Sequence, residues 1–306
     1  MAERGLRWEG ISSRHSDYIV SQLDDVTRIR ALLITRVEYT AYALGQLEPG
    51  LLPRAKWYLG RGASGQGLVL HSRGGLGDAT FVMGDPGAVA AILSIHPGTT
   101  HTYATCQPQH LAVLREVYRL SNQQPMIRMG VTRETFRAAH AVPTHILSGV
   151  DIRRINGLYG SDGSSSYYVP EHIDAGVYRG VVVDGRLVAV AGTHVVSTQE
   201  HVAVVGNVFT HPAYRGHGYA TAATSAVTES LLEYCDHVVL TVDPVNSPAV
   251  AAYTRLGYEK VCQLVEASAA RRDPSGFGSF TRRVRAAMRG RKYDGALVTL
   301  PSNERH

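Results

Sequence analysis

One stretch limits what this chain can become. Val208-Phe209-Thr210-His211-Pro212-Ala213-Tyr214-Arg215-Gly216-His217-Gly218-Tyr219-Ala220-Thr221 joins an apolar strand pattern, residues 201–210, to a helix pattern through a glycine-bearing turn. Gly216 and Gly218 let backbone N–H groups approach a ligand with no side chains in the way. The helix carries no acid in its first turns; Glu229 and Glu233 stand near its far end. Such a helix start offers free N–H groups and the positive end of the dipole to an anion, and a pyrophosphate is the natural guest. Many strand–helix connections look similar, so the turn alone does not assign a function.

The next segment makes the pattern specific. A strand, residues 237–242, leads to Asp243-Pro244-Val245-Asn246-Ser247-Pro248, a short helix, and Tyr253-Thr254-Arg255-Leu256-Gly257-Tyr258. The chain here resembles the GCN5-related N-acetyltransferase (GNAT) family. That family's signature Arg/Gln-x-x-Gly-x-Gly/Ala is matched by Arg215, Gly218 and Ala220. Its later signature, an Asn before a helix with a Tyr and then Leu-Gly-Tyr/Phe, is matched by Asn246, Tyr253 and Leu256-Gly257-Tyr258. The resemblance covers residues 142–266. It implies an α/β (α+β) fold whose mixed central sheet splays at the cofactor site, and acetyl-CoA as co-substrate.

The chain has 306 residues, 44% hydrophobic and 19% charged, which suits one large or two modest domains with real cores. No apolar run is long enough for a membrane span. The opening Met-Ala-Glu-Arg-Gly-Leu-Arg-Trp-Glu-Gly lacks a signal peptide's apolar core. Cys106, Cys235 and Cys262 have neither metal nor redox spacing, so a cytoplasmic protein without a metal site is expected. A formal charge of +5 fits an anionic cofactor as easily as nucleic acid.

Read in order, residues 23–47 form a long helix pattern stopped by Pro49-Gly50. Strand-like pieces follow at 55–59, 67–71 and 79–83, the last two separated by Gly74-Gly75-Leu76-Gly77. Gly84-Asp85-Pro86-Gly87 opens a helix to 95, and 101–106 reads as a strand. A helix is expected over 109–120, a strand over 125–131 and a helix over 132–140. Val142-Pro143-Thr144 is the expected seam, giving a helper or degenerate GNAT-like lobe over 1–141 and a catalytic GNAT domain over 142–306. The second half starts with a helix over 150–159 and the polar Gly160-Ser161-Asp162-Gly163-Ser164-Ser165-Ser166. Strands at 177–183 and 186–196 flank the hairpin signal Asp184-Gly185.

A faint repeat supports two GNAT-like lobes. Asp25-Val26-Thr27-Arg28-Ile29-Arg30-Ala31-Leu32-Leu33 aligns with Asp151-Ile152-Arg153-Arg154-Ile155-Asn156-Gly157-Leu158-Tyr159 at an offset of 126 residues. Chance likeness of amphipathic helices is the alternative. In the first half, Gly84-Asp85-Pro86-Gly87 falls where the anion turn would lie. Its Asp adds negative charge and its Pro removes an N–H donor, so only the second half is expected to bind cofactor. The basic tail, 271–306, reads as a helix with a solvated face and then a strand.

The resemblance assigns roles. The strand end Val208, Phe209 and Thr210 would pair its backbone with the pantetheine arm, one N–H acting as an oxyanion donor. Arg215, Gly216, His217, Gly218, Tyr219, Ala220 and Thr221 would cradle the pyrophosphate, mainly through backbone N–H groups, with Tyr219 packed on the sheet. Gly206 either eases the splay or is an ordinary close-packing glycine. Ser247 and Pro248 read as N-cap and N1 of the next helix, which would leave Asn246 free to bond the arm. Capping by Asn246 is the alternative. Tyr253 would protonate the leaving thiolate, or else is core. The family's base position in its histone-acetylating branch is here Val204. His194 is the chosen base candidate, with Glu171, Asp174, Glu200 and His201 as others; a satisfied structural role is the alternative for each, and proton loss to water is a further option.

The expected function is acetyl transfer from acetyl-CoA to an amine, either a small molecule or a peptide, by a monomer or homodimer. A non-catalytic acyl-CoA-binding sensor is the alternative from another class. A nucleic-acid-associated module would rest on the basic tail alone and is not expected.

Overall fold

The computed structural model describes residues 15–74, 77–163 and 168–301. The opening residues 1–14, Gly75-Leu76 of the glycine loop, Ser164-Ser165-Ser166 of the polar piece with the following Tyr167, and residues 302–306 lie outside them. In chain order the elements begin with β1 (His15–Gln22), α1 (Val26–Leu33), α2 (Val37–Gly45), β2 (Ala55–Gly62), β3 (Gly65–Gly74), β4 (Gly77–Gly84), α3 (Pro86–Ile95) and β5 (His101–Cys106). Then come α4 (Leu111–Val117), β6 (Tyr118–Val131), β7 (His145–Leu147), α5 (Ile152–Tyr159), α6 (Pro170–Asp174), β8 (Tyr178–Val183), β9 (Arg186–Ser197) and β10 (Val202–Thr210). The chain ends with α7 (Tyr219–Leu232), β11 (His237–Val242), α8 (Ser247–Arg255), β12 (Glu259–Arg271), α9 (Phe277–Arg289) and β13 (Ala296–Pro301). No helix among the described residues is long and apolar enough to cross a membrane.

Packing divides the chain into two compact units. The first is drawn from Met1–Ile29, Pro53–Gln124 and Leu264–His306, the second from Arg30–Leu52 and Pro125–Gln263. The expected seam at Val142-Pro143-Thr144 falls in the connection between β6 and β7, yet each unit takes segments from both sides of it. The lobes 1–141 and 142–306 are therefore stretches of chain, while the units of packing are interleaved.

In the first unit the strand order is β13-β1-β2-β3-β4-β5-β12, antiparallel except for the parallel pair β4–β5. Helix α3 fills its core. Its Ala88, Val89, Ala91, Ile92 and Leu93 are inaccessible to solvent, and Gly60 and Gly67 let it lie close on β2 and β3. Asp85 starts the helix: its Oδ2 accepts from Ala88 N at 2.7 Å, and Pro86 supplies the preset φ of the first turn.

In the second unit the order is β6-β11-β10-β9-β8-β7, again antiparallel with one parallel pair, β10–β11. The two orders correspond strand for strand: β1-β2-β3-β4-β5-β12 and β7-β8-β9-β10-β11-β6. Each series ends on a strand from the other half of the sequence. Met129 and Val131 of β6 are buried in the second unit's core, and Val265 and Ala269 of β12 in the first's. Burying a Met or Val side chain contributes about 1.5–3 kcal/mol, so the exchanged strands are substantial parts of each core. The repeated helices also correspond: α1 and α5 have equal length at the 126-residue offset.

Three local expectations change. The helix over 23–47 breaks at a single 3-10 turn, Ile34–Arg36, because the Thr40 hydroxyl donates to Leu33 O at 2.8 Å and Arg36 leaves helical geometry. The helix over 109–120 stops at Val117, and Tyr118 enters a strand, its hydroxyl donating to Pro97 O. Residues 132–140 form no helix, since their N–H groups turn to tertiary acceptors: Arg137 N donates to Leu256 O and Ala139 N to Ser225 Oγ. The Asp184-Gly185 hairpin forms as expected, both residues having positive φ as a type I′ turn requires.

Two histidines in the first unit carry a pH signature. His71 Nε2 donates to His96 O at 3.0 Å while Nδ1 meets Thr80 Oγ1 at 3.0 Å, a neutral-ring arrangement. His96 stacks on Tyr58 at 4.1 Å. Burial lowers both to about 4 from the ordinary 6.5, with nearby cations adding to the effect. The unfolded chain then binds more protons than the folded one between pH 6.5 and 4, so stability is full above 6.5 and falls as pH drops through that window. Urea midpoints should decline from pH 6.5 to 5, and less steeply in a His96→Gln variant. An unchanged slope in that variant counts against the assignment.

Candidate functional site

The site is built where a ladder ends. In the second unit β10 pairs with β11 only from Val202↔His237 to Val205↔Leu240. Both strands continue beyond, so a gap opens after Val205. Two bulges straddle that point. On β9, His194 is the extra residue between the pairs Val195↔Val204 and Thr193↔Val205. On β10, an extra residue lies between Gly206↔Gly192 and Phe209↔Val190, and Asn207 there has φ +53°. Bulges bend and overtwist a strand, which turns β10 away from its parallel neighbour.

His194 occupies the space a side chain at Gly206 would take. A Cβ on Gly206 would lie 2.0 Å from His194 Cδ2 and 2.1 Å from Nε2. Gly206 thus serves close approach at the bend. The imidazole also faces Tyr42 at 5.9 Å, and the buried Arg128 guanidinium lies 5.2 Å over the Tyr42 ring. Desolvation, then the charge of Arg128, lower the His194 pKa to about 4, so the ring is neutral at pH 7. By its accessible surface His194 is nevertheless an exposed residue.

The other base candidates lie elsewhere or are engaged. Glu200 receives Arg30 in a two-pronged ion pair, its closest contact 2.6 Å. Asp174 Oδ1 accepts from Gly149 N at 2.6 Å. His201 precedes β10, at the end away from the gap. Glu171 is an exposed residue in the first turn of α6. Val204 is buried in the sheet.

Beyond the gap, Val208 packs on the α7 side of the sheet, while Phe209 packs with the α5 cluster, 5.6 Å from Tyr159. The Thr210 hydroxyl is buried without a hydrogen-bond partner among the described residues. Arg215 Nε donates to Thr210 O at 3.3 Å, and its guanidinium lies 6.0 Å from the Phe209 ring. Gly216 and Gly218 have φ +84° and +77°, and nothing lies within 4 Å of where their Cβ atoms would be. His217 Nδ1 donates to Arg215 O at 2.9 Å, and its ring stacks 5.5 Å from Tyr219, which packs against the core as expected. Gly218 caps α7 with no side-chain bond, and the first turn, including Ala220 and Thr221, holds no acid. Among the described residues no capping side chain meets its first N–H groups, in contrast to α3, whose start is closed by Asp85.

Asn246, not Ser247, is the N-cap of α8. Its Oδ1 accepts from Ala249 N at 3.3 Å, so the helix begins one residue earlier than expected. The exposed cap uses only its oxygen in that bond. Tyr253, in α8, belongs to the core cluster that contains Val205 and Val242. Burial raises its pKa to about 12, so the phenol is protonated at neutral pH. Among the described residues no group of three or more His, Cys, Asp or Glu is placed to hold a metal.

A tyrosine cage beside the gap escaped the sequence reading. Asn207 is its hub. Tyr168 OH donates to Asn207 Oδ1 at 2.7 Å, and Asn207 Nδ2 donates to Tyr178 OH at 2.7 Å. Tyr159 OH donates to the Asn207 carbonyl at 2.5 Å. Desolvation raises all three phenols, Tyr178 to about 12. The available signal was Gly206-Asn207 inside an apolar strand, a bulge mark. Asn207→Gly keeps the positive φ and loses the side-chain bonds, which should lower stability by roughly 1–3 kcal/mol. Asn207→Ala should cost about 1 kcal/mol more, through the backbone. Urea denaturation checks the order; equal losses would show that the φ of Asn207 carries no strain.

Residues 152–258 match the model of the Acetyltransferase (GNAT) family. No curated protein matches the sequence. A GCN5-related N-acetyltransferase from Kribbella flavida is similar in structure, with TM-score 0.53 and 20% identity over 75% of this chain and 95% of that one. A Drosophila protein solved by X-ray crystallography gives TM-score 0.55 and 15% identity over 81% and 98%. A tandem GNAT protein from the clavulanic acid biosynthesis pathway gives 0.47 and 15% over 83% and 98%. The mixed sheet with its splayed parallel pair is thus a GNAT fold, and the match to the GNAT acetyltransferase family model spans residues 152–258.

Proposed function

We propose that the chain transfers an acetyl group from acetyl-CoA to an amine at the site in the second unit. The observation that carries this reading is the open, acid-free start of α7 next to a strand whose parallel ladder stops short. The residues fit such a ligand: the turn leaves space at Gly216 and Gly218, and the Thr210 hydroxyl is an unused donor beside the gap. Backbone N–H groups of 215–221 would hold the pyrophosphate, with Arg215 adding charge. Val208, Phe209 and Thr210 would lie along the pantetheine arm, with the amide nitrogen of Asn246 free to assist.

The co-substrate supplies an activated acetyl thioester; the chain has to manage two protons. One leaves the attacking amine and one joins the departing sulfur. His194 is the acceptor at the gap, present as the neutral ring. A pKa near 4 makes it a weaker base than a group poised near neutral pH, so its role is that of a relay from the amine to water. Tyr253 is the donor, protonated up to about pH 12. Gly206, which His194 covers, and Val205, which shares a cluster with Tyr253, are strand neighbours and face opposite sides. The two groups thus serve opposite faces of β10.

Calorimetry should give one acetyl-CoA site at a helix start, that of α7, because Asp85 closes α3. Gly218→Asp should weaken binding strongly by setting a carboxylate at the turn. Unchanged affinity in that variant, or a second acetyl-CoA site at the start of α3, would sink the reading. Saturable binding with no release of free CoA across a panel of amines would favour the sensor instead.

Tyr253→Phe should keep the fold and acetyl-CoA affinity and slow single-turnover transfer by about 10²–10⁴-fold. The lower end is expected, since a thiol needs less help to leave than an amine. A variant with parental chemistry returns Tyr253 to a packing role.

A further inference from the structure

The first unit holds a cleft of about 910 Å³ at the other end of its sheet from the start of α3. It is lined by the start of β2, the end of β3, the segment after α3 and the first turns of α9. Its charged lining is cationic throughout: Arg54, Lys56, Arg73, Arg271 and Arg283, with no Asp or Glu. Arg54, Lys56 and Arg283 are exposed and form no ion pair among the described residues. Arg73 has only Asp78, at 4.0 Å. Arg271 spends its donors on the carbonyls of Gly98, Asp273 and Pro274, so it is fixed in place without a carboxylate. The nearby Asp273 carboxylate accepts from the N–H groups of Gly276, Gly278 and Ser279 instead. Desolvation is the main cause that lowers His71 and His96, and Lys56, joined by Arg283 at His96, acts in the same direction.

The cleft also has exposed aromatic surface. Phe277 and Phe280 on α9 are 72% and 53% exposed, and Arg283 lies 5.7 Å over the Phe280 ring. Tyr58, stacked on His96, lines the wall. Two phenylalanines left in solvent at the rim of a cationic recess offer stacking beside charge neutralisation. Clustered cations repel one another, and a bound polyanion would relieve that cost.

We infer that this cleft binds a small ligand that joins a phosphate group to a planar ring, of the nucleotide class, separately from the acyl-transfer site. The recess is bounded by strand ends and a helix start and has the volume of a small-molecule site. A nucleic-acid strand would need a groove running past these walls. The basic tail thereby gains a role: Arg271 and α9 furnish one side of the recess.

The test is equilibrium binding of ADP and of inorganic pyrophosphate to the full chain carrying Gly218→Asp, at low salt. ADP should bind one site. Lys56→Glu with Arg283→Glu should weaken it by about 10- to 100-fold, the range for losing charge-assisted contacts. Phe277→Ser with Phe280→Ser should bring ADP down to the affinity of pyrophosphate, which has no ring. All four positions are exposed, and circular dichroism checks that the fold persists. No ADP binding, or ADP affinity unmoved by the charge reversals, overturns the inference. So does a ten-nucleotide single strand that binds more tightly and is not displaced by ADP. Acetyl-CoA also carries an adenine nucleotide, so its affinity is measured with and without Gly218→Asp in the Lys56→Glu, Arg283→Glu background; that comparison judges the second unit's site with the cleft disabled, and the two readings fail independently.

Discussion

The parallel ladder between β10 and β11 ends after Val205 and Leu240, and the site follows from that break. A sheet that stayed paired would present no free backbone to a ligand arm. The break is held open by conformations that an uninterrupted strand would not adopt. His194 stands as an extra residue in one bulge, and Asn207 adopts positive φ in the other. Strain of this kind persists only where surroundings over-determine it. Here three tyrosines bond to Asn207 and an imidazole fills the space over Gly206. The polar cage and the bent strand support each other.

The two units show how one topology leaves a helix start uncapped or closes it through a few atoms. Both place a helix after the strand that begins a parallel pair. In the second unit that helix starts at Gly218 with no side-chain cap and no acid in its first turn. In the first, the Asp85 carboxylate accepts from Ala88 N and from the Ser64 hydroxyl, while Pro86 removes one donor. A carboxylate at that place satisfies the helix and repels a phosphate. The first unit's cationic surface lies elsewhere, around the cleft that α9 helps to line.

Much of this was legible locally. The strand–turn–helix from Val208 to Thr221, the β8–β9 hairpin and β11 follow from short-range signals: positive-φ glycines, an Asp-Gly turn, runs of Val and Leu. The matching lengths of α1 and α5 bear out the weak repeat around Asp25 and Asp151. Asn246 was ambiguous because Asn and Ser both make good caps, and only the backbone path chooses between them. Residues 132–140 looked helical, but their donors found tertiary acceptors.

The sequence by itself determined the glycine turn, the acid-free helix start, the Asp85-Pro86 block and the placement of Tyr253 after Asn246, because each depends on neighbours a few residues apart. Only the tertiary structure decided that β6 and β12 complete each other's sheets, since strand partners are set by packing across more than a hundred residues. It also decided that His194, among several acids and histidines, reaches the gap. That depends on a one-residue bulge, and adding a residue to one strand shifts which side chains face the site without any change in hydrophobic pattern that a sequence reader could see.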